Sequence, residues 1–408
     1  MMKAKIIGIG AAGNKAAINL IEKGIVDEND IILLNSTLRD IPDEYRRLGI
    51  QFTNSPGGCG KERKIANNLV LQSIENETIN FEELLSDANL CIIVSSSEGG
   101  TGSGAATILA KFINEVIGVK VHNFVFTGFE EDARGLKNTV EYFKDLDDSA
   151  IVEAISNKKF TTGVGLNKIK AEKDANDEFA KQISVLLEKG IVDSEQNIDD
   201  RDIEKVLTTP GYIQIGKISL DGVKNVEMFN KTCSDMIDNL YCLDADSSAK
   251  RLAVFINANE KILESVDFSF NVIKEKLGFP FESFTHCQKE PGEQFISFIA
   301  SGMKMPIDEI EATYENYKRE SEKVNKAKDD FYSKANQFES IEDDDMFNTS
   351  AEKKTVSKSD FFKNLNKNSD NSKVSESDFP KASVVKKEKG FTDTNKSQAA
   401  KDFVKSQY

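Results

Sequence analysis

Glu98-Gly99-Gly100-Thr101-Gly102-Ser103-Gly104 places four glycines within six residues. The stretch separates two segments of different period. Before it, Asn89-Leu-Cys-Ile-Ile-Val-Ser95 is a short apolar run with β-branched residues, the pattern of a buried strand. After it, Ile108, Leu109, Phe112, Ile113 and Val116 recur at helical spacing between Ala105 and Ile117. The glycines therefore sit where a strand ends and a helix begins. Glycine lets a backbone approach a ligand without a Cβ clash. Successive N–H groups at a helix start form an anion site suited to phosphate. Thr101 and Ser103 add hydroxyl donors. The plainer reading is a glycine-rich turn with no ligand, but this loop does not stand alone.

Two more loops share its character. Ala4-Lys-Ile-Ile-Gly-Ile9 reads as a strand, followed by Gly10-Ala-Ala-Gly13-Asn14 and a helix to about Lys23. Gly8, Gly10 and Gly13 spell G-x-G-x-x-G, the dinucleotide fingerprint. A dehydrogenase needs an acid at the end of the second strand to hold a ribose 2′-hydroxyl. That strand, Ile31–Leu34, ends in Asn35-Ser-Thr37, which disfavours NAD. Ser55-Pro-Gly57-Gly58-Cys-Gly60-Lys61 opens another helix, with Ile65, Leu69 and Ile74 turned inward. A bland surface turn is its alternative. The 98–104 loop lacks the lysine of a Walker A sequence, so it is not a standard P-loop.

The 98–104 stretch resembles the GGGTGSG signature of the tubulin/FtsZ superfamily of GTPases. Glu98 replaces the first glycine, which brings a carboxylate near the phosphate site. The other loops follow in the family's order. The resemblance implies that Gly10, Ala11, Ala12 and Asn14 bind the nucleotide along its α and β phosphates. It assigns the γ-phosphate to the loop of Gly57, Gly58 and Gly60. It gives the phosphate cradle to Gly99, Gly100, Thr101, Gly102, Ser103 and Gly104. After the strand Lys120–Phe126, Gly128-Phe-Glu130-Glu-Asp-Ala-Arg134 is similar to the E-G-x-x-R stretch of FtsZ. Glu130 and Arg134 then form a sugar- and phosphate-side pair, with Glu131 as an alternative to Glu130. An exposed i,i+4 pair on a helix is the plainer reading. Asn157, after the strand Ala150–Ile155, corresponds to a purine contact. Asp174-Ala-Asn176-Asp177 resembles the start of the family's central helix, where Asn176 and Asp177 would read the guanine edge. A carboxylate accepting from N1–H and the 2-amino group favours guanine over adenine. Asp174 or Asn176 also suits an N-cap.

The central helix is expected to stop at Gly190. Asn197-Ile-Asp199-Asp200-Arg201-Asp202 then matches the family loop N-x-D-x-x-D. A helix of about 15 residues spans over 20 Å, so these acids cannot reach their own nucleotide. The resemblance implies that Asn197, Asp199 and Asp202 act on the nucleotide of the next subunit and position water for attack on the γ-phosphate. The alternative is an acidic cap before a helix at 202–207.

The expected fold is α/β: a Rossmann-like, tubulin/FtsZ-like GTPase domain with a parallel sheet (1–174), a central helix (175–190) and a catalytic loop (191–203). A smaller α/β second domain (204–306) follows, with strands at 212–218, 251–256, 284–287 and 294–300 and helices at 226–241 and 260–276. It carries no charged or nucleophilic cluster, and resembles the superfamily's activating domain. A long C-terminal helix (307–341) has a weak apolar stripe interrupted at Ser321 and Lys328, which argues against a strong coiled coil. Beyond Glu342-Asp-Asp-Asp345 the Lys-, Ser- and Asn-rich sequence (342–408) reads as a disordered basic tail.

Composition bounds the function. With 408 residues and 39% apolar content the chain can build two domains plus a tail. A net charge of −15 argues against general nucleic-acid binding by the whole molecule. Residues 348–408 nevertheless hold thirteen Lys against eight Asp and Glu, which points to an acidic partner for the tail. Five cysteines without a C-x-x-C pair suit reduced thiols, and neither His122 nor His286 falls in a metal pattern. With no signal peptide and no membrane-length apolar run, a cytoplasmic protein without membrane contact is expected.

The resemblance implies GTP and GDP as ligands, with Mg²⁺ held through phosphates and water and no metal held directly by side chains. It implies head-to-tail self-assembly, because heterologous contacts that do not close generate filaments. FtsZ normally ends in a short hydrophobic and acidic peptide. A basic tail after a long helix looks more like the plasmid- and phage-borne TubZ branch, whose filaments move DNA through a DNA-bound adaptor protein gripped by the tail. A divergent FtsZ-like cell-division GTPase is the second reading. A dehydrogenase explains residues 4–35 alone, and a non-polymerising GTP-binding module predicts monomers in the presence of GTP.

Overall fold

The computed structural model describes residues 3–146, 149–161, 167–187, 198–244, 248–289, 292–338 and 394–407. The apolar runs fold as strands β1 (Ala4–Ile9), β2 (Ile31–Asn35), β3 (Gly49–Gln51), β4 (Leu90–Ser96), β5 (Lys120–Thr127), β6 (Ile151–Ser156), β7 (Gly211–Ser219), β8 (Arg251–Asn257), β9 (Glu282–Gln288) and β10 (Phe295–Met303). They form one ten-stranded sheet in the order β3-β2-β1-β4-β5-β6-β7-β10-β8-β9. From β3 to β7 every pairing is parallel, whereas β10 lies antiparallel to both β7 and β8. β1 is the turning point: β2 lies on one side of it and β4 on the other. In such sheets, ligands bind outside the carboxyl ends of the strands at the place where the order reverses.

Helices cover both faces, as a parallel sheet requires. They are α1 (Gly10–Glu22), α2 (Arg63–Glu75), α3 (Phe81–Leu84), α4 (Thr101–Phe112), α5 (Ala133–Asp145), α6 (Lys168–Leu186), α7 (Asp200–Leu207), α8 (Val226–Asp238), α9 (Glu260–Leu263), α10 (Asn271–Lys276), α11 (Ile307–Phe338) and α12 (Thr394–Ser406). Side chains alternate between the faces along each strand. Ile7, Ile93 and Val125 pack with α2 and α4, while Ile6, Ile92 and Phe124 pack with α1 and α6. All five cysteines are buried. No helix among the described residues is long and apolar enough to cross a membrane.

Four features depart from the sequence reading. The central helix α6 begins at Lys168, where the Asn167 side chain accepts from the Lys170 N–H at 3.1 Å. Asp174, Asn176 and Asp177 therefore lie inside the helix and cap nothing. Gly190, its expected stop, lies outside the described residues. The helix expected at 260–276 is two short ones, interrupted before Phe270, whose φ of 50° is non-helical. The second α/β segment is not set apart by a break in the sheet, because β7 pairs with β6 through Ile151↔Gly211 and Val152↔Tyr212. At the end of the chain, where disorder is expected, Thr394–Ser406 is helical and buries Phe403 and Val404. That helix packs on the main body, which comprises Met1–Glu320 and Thr394–Tyr408. Residues 342–393 of the expected tail, and 339–341 of the expected C-terminal helix, lie outside the described residues.

β6 and β7 part after Val152, and the segment Tyr241–Leu243 takes over the pairing with β6. The Leu243 N–H donates to the Ala154 carbonyl and the Ser156 N–H to the Tyr241 carbonyl, both at 2.9 Å. Glu153 sits at this fork, fully buried, with the Ile215 N–H as the backbone group that favours its charged form. Burial pushes its pKa well above the ordinary carboxylate range, and Glu178 on α6 pushes the same way. A pKa raised on folding favours the folded state at low pH, and that stability is lost as pH climbs through the raised value. Glu153→Gln should therefore unfold at a higher urea concentration than wild type at pH 8. It should also show a flatter dependence of that midpoint between pH 5 and 8.

Candidate functional site: a phosphate-type cleft at the β1/β4 switch point

The three glycine loops meet in space. α1 starts directly from the end of β1, and α4 follows β4 after a four-residue connection, 97–100. The packing leaves no room for side chains. A Cβ on Gly13 would lie 2.1 Å from the Val94 carbonyl oxygen, and one on Gly104 would lie 2.4 Å from that of Arg63. One on Gly10, whose φ is +75°, would lie 3.0 Å from the Gly102 nitrogen, so the first turns of α1 and α4 abut. A Cβ on Gly100 would lie 2.9 Å from the Glu62 nitrogen, which brings in the 55–62 loop. By contrast, Gly57, Gly58, Gly60 and Gly99 face open space. The cleft is therefore lined by backbone.

The helix starts show what that lining offers. The first N–H groups of any helix lack intrahelical partners, and an Asp, Asn, Ser or Thr side chain usually supplies one. Here α5, α6, α7, α8 and α9 are capped by Asp132, Asn167, Asp199, Asn225 and Asn259. The helices that follow the three glycine loops, α1, α2 and α4, have no side-chain cap. The six-residue α10 also lacks one, but it stands apart from these loops. Uncapped donors gathered around open space suit an anionic ligand.

Polar side chains brace the loops. The Thr101 and Ser36 hydroxyls are 2.9 Å apart, and the Ser55 hydroxyl donates to the Ser36 carbonyl at 2.5 Å. The Ser103 hydroxyl donates to the Gly99 carbonyl. Asn138 on α5 is the main clamp: its amide donates to the carbonyls of Lys61 (3.0 Å), Glu98 (3.1 Å) and Gly99 (3.3 Å), tying two loops together. Buried Arg63 in turn donates to the Asn138 carbonyl at 3.1 Å and to Asp145 at 2.6 Å. Sequence reasoning missed Asn138, Ser36 and Arg63. An Asn four residues beyond Arg134 carries no local signal of what its amide will meet across the fold.

The remaining predicted residues are distributed unevenly. Asn14 is buried and donates to the Leu34 carbonyl at 3.3 Å, with its own amide oxygen unpartnered. Ala11 and Ala12 lie in the first turn of α1. Glu130 and Arg134 do not pair with each other: Glu130 binds Lys158, and Arg134 binds Glu62. Glu131, the alternative, binds Lys168. Asn157 opens a short 3₁₀ turn beside Lys158, its amide oxygen buried without a partner. Asn176 and Asp177 face α1. Asn19 donates to the Asn176 carbonyl at 3.0 Å and to Asp177 at 3.2 Å, and Lys23 pairs with Asp177 at 3.0 Å.

Glu98 corrects the expectation of a carboxylate at the phosphates. Its side chain turns under the 128–130 loop, where it accepts from the Glu130 N–H at 3.2 Å. It fills the space beside Gly128 and Gly135. Burial pushes its pKa above the ordinary range, opposed by the Glu130 N–H and by Lys61.

The acidic loop lies elsewhere. The carbonyl of Leu207, the last residue of α7, meets His122 Nε2 near the start of β5. The glycine loops follow the opposite ends of β1 and β4, so α7 belongs to the other edge of the sheet. Asp199 is the N-cap of α7, accepting from the Asp202 N–H at 2.8 Å, which is the plainer role considered for it. Asp202 pairs with Lys205 at 3.1 Å. Asn197 lies outside the described residues.

A switch-point cleft of uncapped helix starts suits an anionic ligand of phosphate type. Comparison with known proteins is more specific. Residues 3–162 match the model of the Tubulin/FtsZ family, GTPase domain. The cell division protein FtsZ of Mycoplasmopsis pulmonis (strain UAB CTIP) is 26% identical over 312 residues, 73% of this chain and 77% of that protein. Among solved structures, CetZ2 from Haloferax volcanii, in a GTPγS-bound protofilament, superposes with a TM-score of 0.64 at 18% identity, covering 79% of this chain and 100% of that one. TubZ of Bacillus thuringiensis serovar israelensis, in a GTPγS-form protofilament, gives 0.62 at 14% identity, covering 80% and 94%. The fold is that of tubulin and FtsZ.

The Glu98 arrangement gives a direct test. A Cβ on Gly128 would lie 1.9 Å from a Glu98 carboxyl oxygen, the movable end of a side chain. Gly128→Ala should cost about 1–2 kcal/mol by expelling that carboxylate from its bond to Glu130. In the Glu98→Ala background the same change should cost roughly half as much or less, a coupling that urea unfolding of the four-member cycle measures.

Proposed function

We propose that this chain is a GTPase that assembles head to tail and hydrolyses GTP where two subunits meet. The observation that carries the reading is the set of uncapped helix starts at α1, α2 and α4 around one open cleft, at an edge of the sheet opposite to Asp199 and Asp202. One subunit then supplies the phosphate cradle and the next supplies the acids. The α1 and α4 turns bind the phosphates, Gly57, Gly58 and Gly60 sense the γ-phosphate, and the loop of Glu130 and Arg134 faces the sugar. Asn157, Asn176 and Asp177 lie on the base side. Asp202, with Asn197 and Asp199, positions the attacking water. The chemistry is positioning and electrostatic stabilisation. Mg²⁺ would be held by phosphate oxygens and water and would neutralise developing charge.

In this reading residues 1–174 bind nucleotide, 204–306 form the activating segment and the basic tail recruits a DNA-bound adaptor, so that filaments move plasmid or phage DNA in the cytoplasm. The excess of Lys over acids in 348–408 supports that partner. A cell-division role is the second reading, favoured by the FtsZ relatives found by sequence.

Light scattering and phosphate release after addition of GTP and Mg²⁺, over a range of protein concentrations, tests the proposal. Hydrolysis should appear only above a critical concentration and rise with scattering. Asp202→Ala is the informative variant, because Asp199 also caps α7. It should polymerise while releasing phosphate at least about tenfold more slowly, as loss of a water-positioning group requires. Hydrolysis linear in concentration without scattering would refute the junction site.

A further inference from the structure

The C-terminal helix α12 seats on an apolar groove that the proposed function does not use. Phe403 is 6% exposed and Val404 3%, and Ala400 packs one turn before them. The Phe403 ring lies 5.4 Å from that of Phe112, which lies 6.1 Å from Phe81. α12 also rests on α2 and on the π-helical turn Ile113–Ile117 that ends α4. This is helix-in-groove recognition, with anchors at i, i+3 and i+4.

Two physical facts make the contact exchangeable. A 13-residue helix is marginal alone in water. Its docking rests on few apolar side chains, so it belongs to the low-stability end of the fold. Residues 339–393 connect it to α11. Extended at about 3.3 Å per residue they outreach a body of this size, whose radius of gyration scales to about 20 Å. An element docked by few contacts on a long connection can be swapped between identical copies, since every native contact is re-formed in the partner.

We infer that the groove of Phe81, Phe112, α2 and the 113–117 turn is an inter-subunit docking site whose occupant is the α12 helix of a second copy of this chain. Where copies are held side by side, the helix of one subunit enters the groove of another and ties them together. The groove lies at the Phe112 end of α4 and the glycine loop at its Thr101 end, about 17 Å away along the helix. Exchange therefore leaves the nucleotide cleft open, and it requires neither GTP nor polymerisation.

Photo-crosslinking of the full chain carrying Phe403→p-benzoylphenylalanine tests the inference, in the absence of nucleotide. Cross-links should map to Phe112, α2 and the 113–117 turn, both within a chain and between chains. The fraction joining two chains should rise roughly in proportion to protein concentration, because tethered and free helices compete by effective concentration. An excess of the peptide 391–408 should suppress it. Val404→p-benzoylphenylalanine repeats the measurement should the first variant fold poorly. Links confined to single chains at every concentration would overturn the exchange, and links that map outside the groove would overturn the site.

Discussion

Everything at the cleft depends on how closely α1 approaches the end of β4. Gly13 meets the Val94 carbonyl at a distance that admits no side chain. That single contact fixes the first turn of α1 against the first turn of α4 and brings two helix starts to one point. Gly104 does the same between α4 and the start of α2. Side chains at these positions would push the helices apart, and the N–H groups would face separate patches of solvent. Glycine here sets the spacing between secondary-structure elements, whereas Gly57, Gly58, Gly60 and Gly99 leave space for a ligand. The two uses are indistinguishable in the sequence and plain in three dimensions.

Capping chemistry separates the cleft from the rest of the fold. Away from it, Asp and Asn side chains satisfy the starts of α5, α6, α7, α8 and α9 locally, which makes those helices independent of any ligand. Around it the donors are left to the solvent or to whatever binds. The charged residues nearby are largely spent on one another: Lys61 with Asp132, Arg134 with Glu62, Lys158 with Glu130. Recognition at the cleft thus falls mainly to the backbone, with Asn138 holding that backbone in shape.

Much of this was legible in the sequence, and the limits are physical. Short apolar runs rich in β-branched residues located β1, β4, β5 and β6, because those signals are local. The start of α6 was misplaced because Asp174 and Asn176 offer as good a cap as Asn167, and only packing against α1 selects among them. The clamp at Asn138 was invisible because its acceptors lie in loops far away in sequence. The docking of α12 was missed because two apolar residues in a polar, Lys-rich context read as disorder, and their burial depends on a groove built by residues 63–117. The placement of Glu98 failed for a related reason: its direction is set by the absence of side chains at Gly128 and Gly135.

That absence constrains the order in which the chain can change. Glu98 occupies the volume that a side chain at position 128 would need, so the glutamate is accommodated only while position 128 stays glycine. A lineage that acquires the glutamate loses the freedom to elaborate the loop before α5. To regain it, the glutamate must be discarded first, because the reverse order passes through an intermediate with two groups in one space. The 98–104 loop and the loop before α5 are thus constrained together as well as mechanically joined. A substitution at position 128 that is harmless beside a glycine at position 98 would be expected to be harmful here.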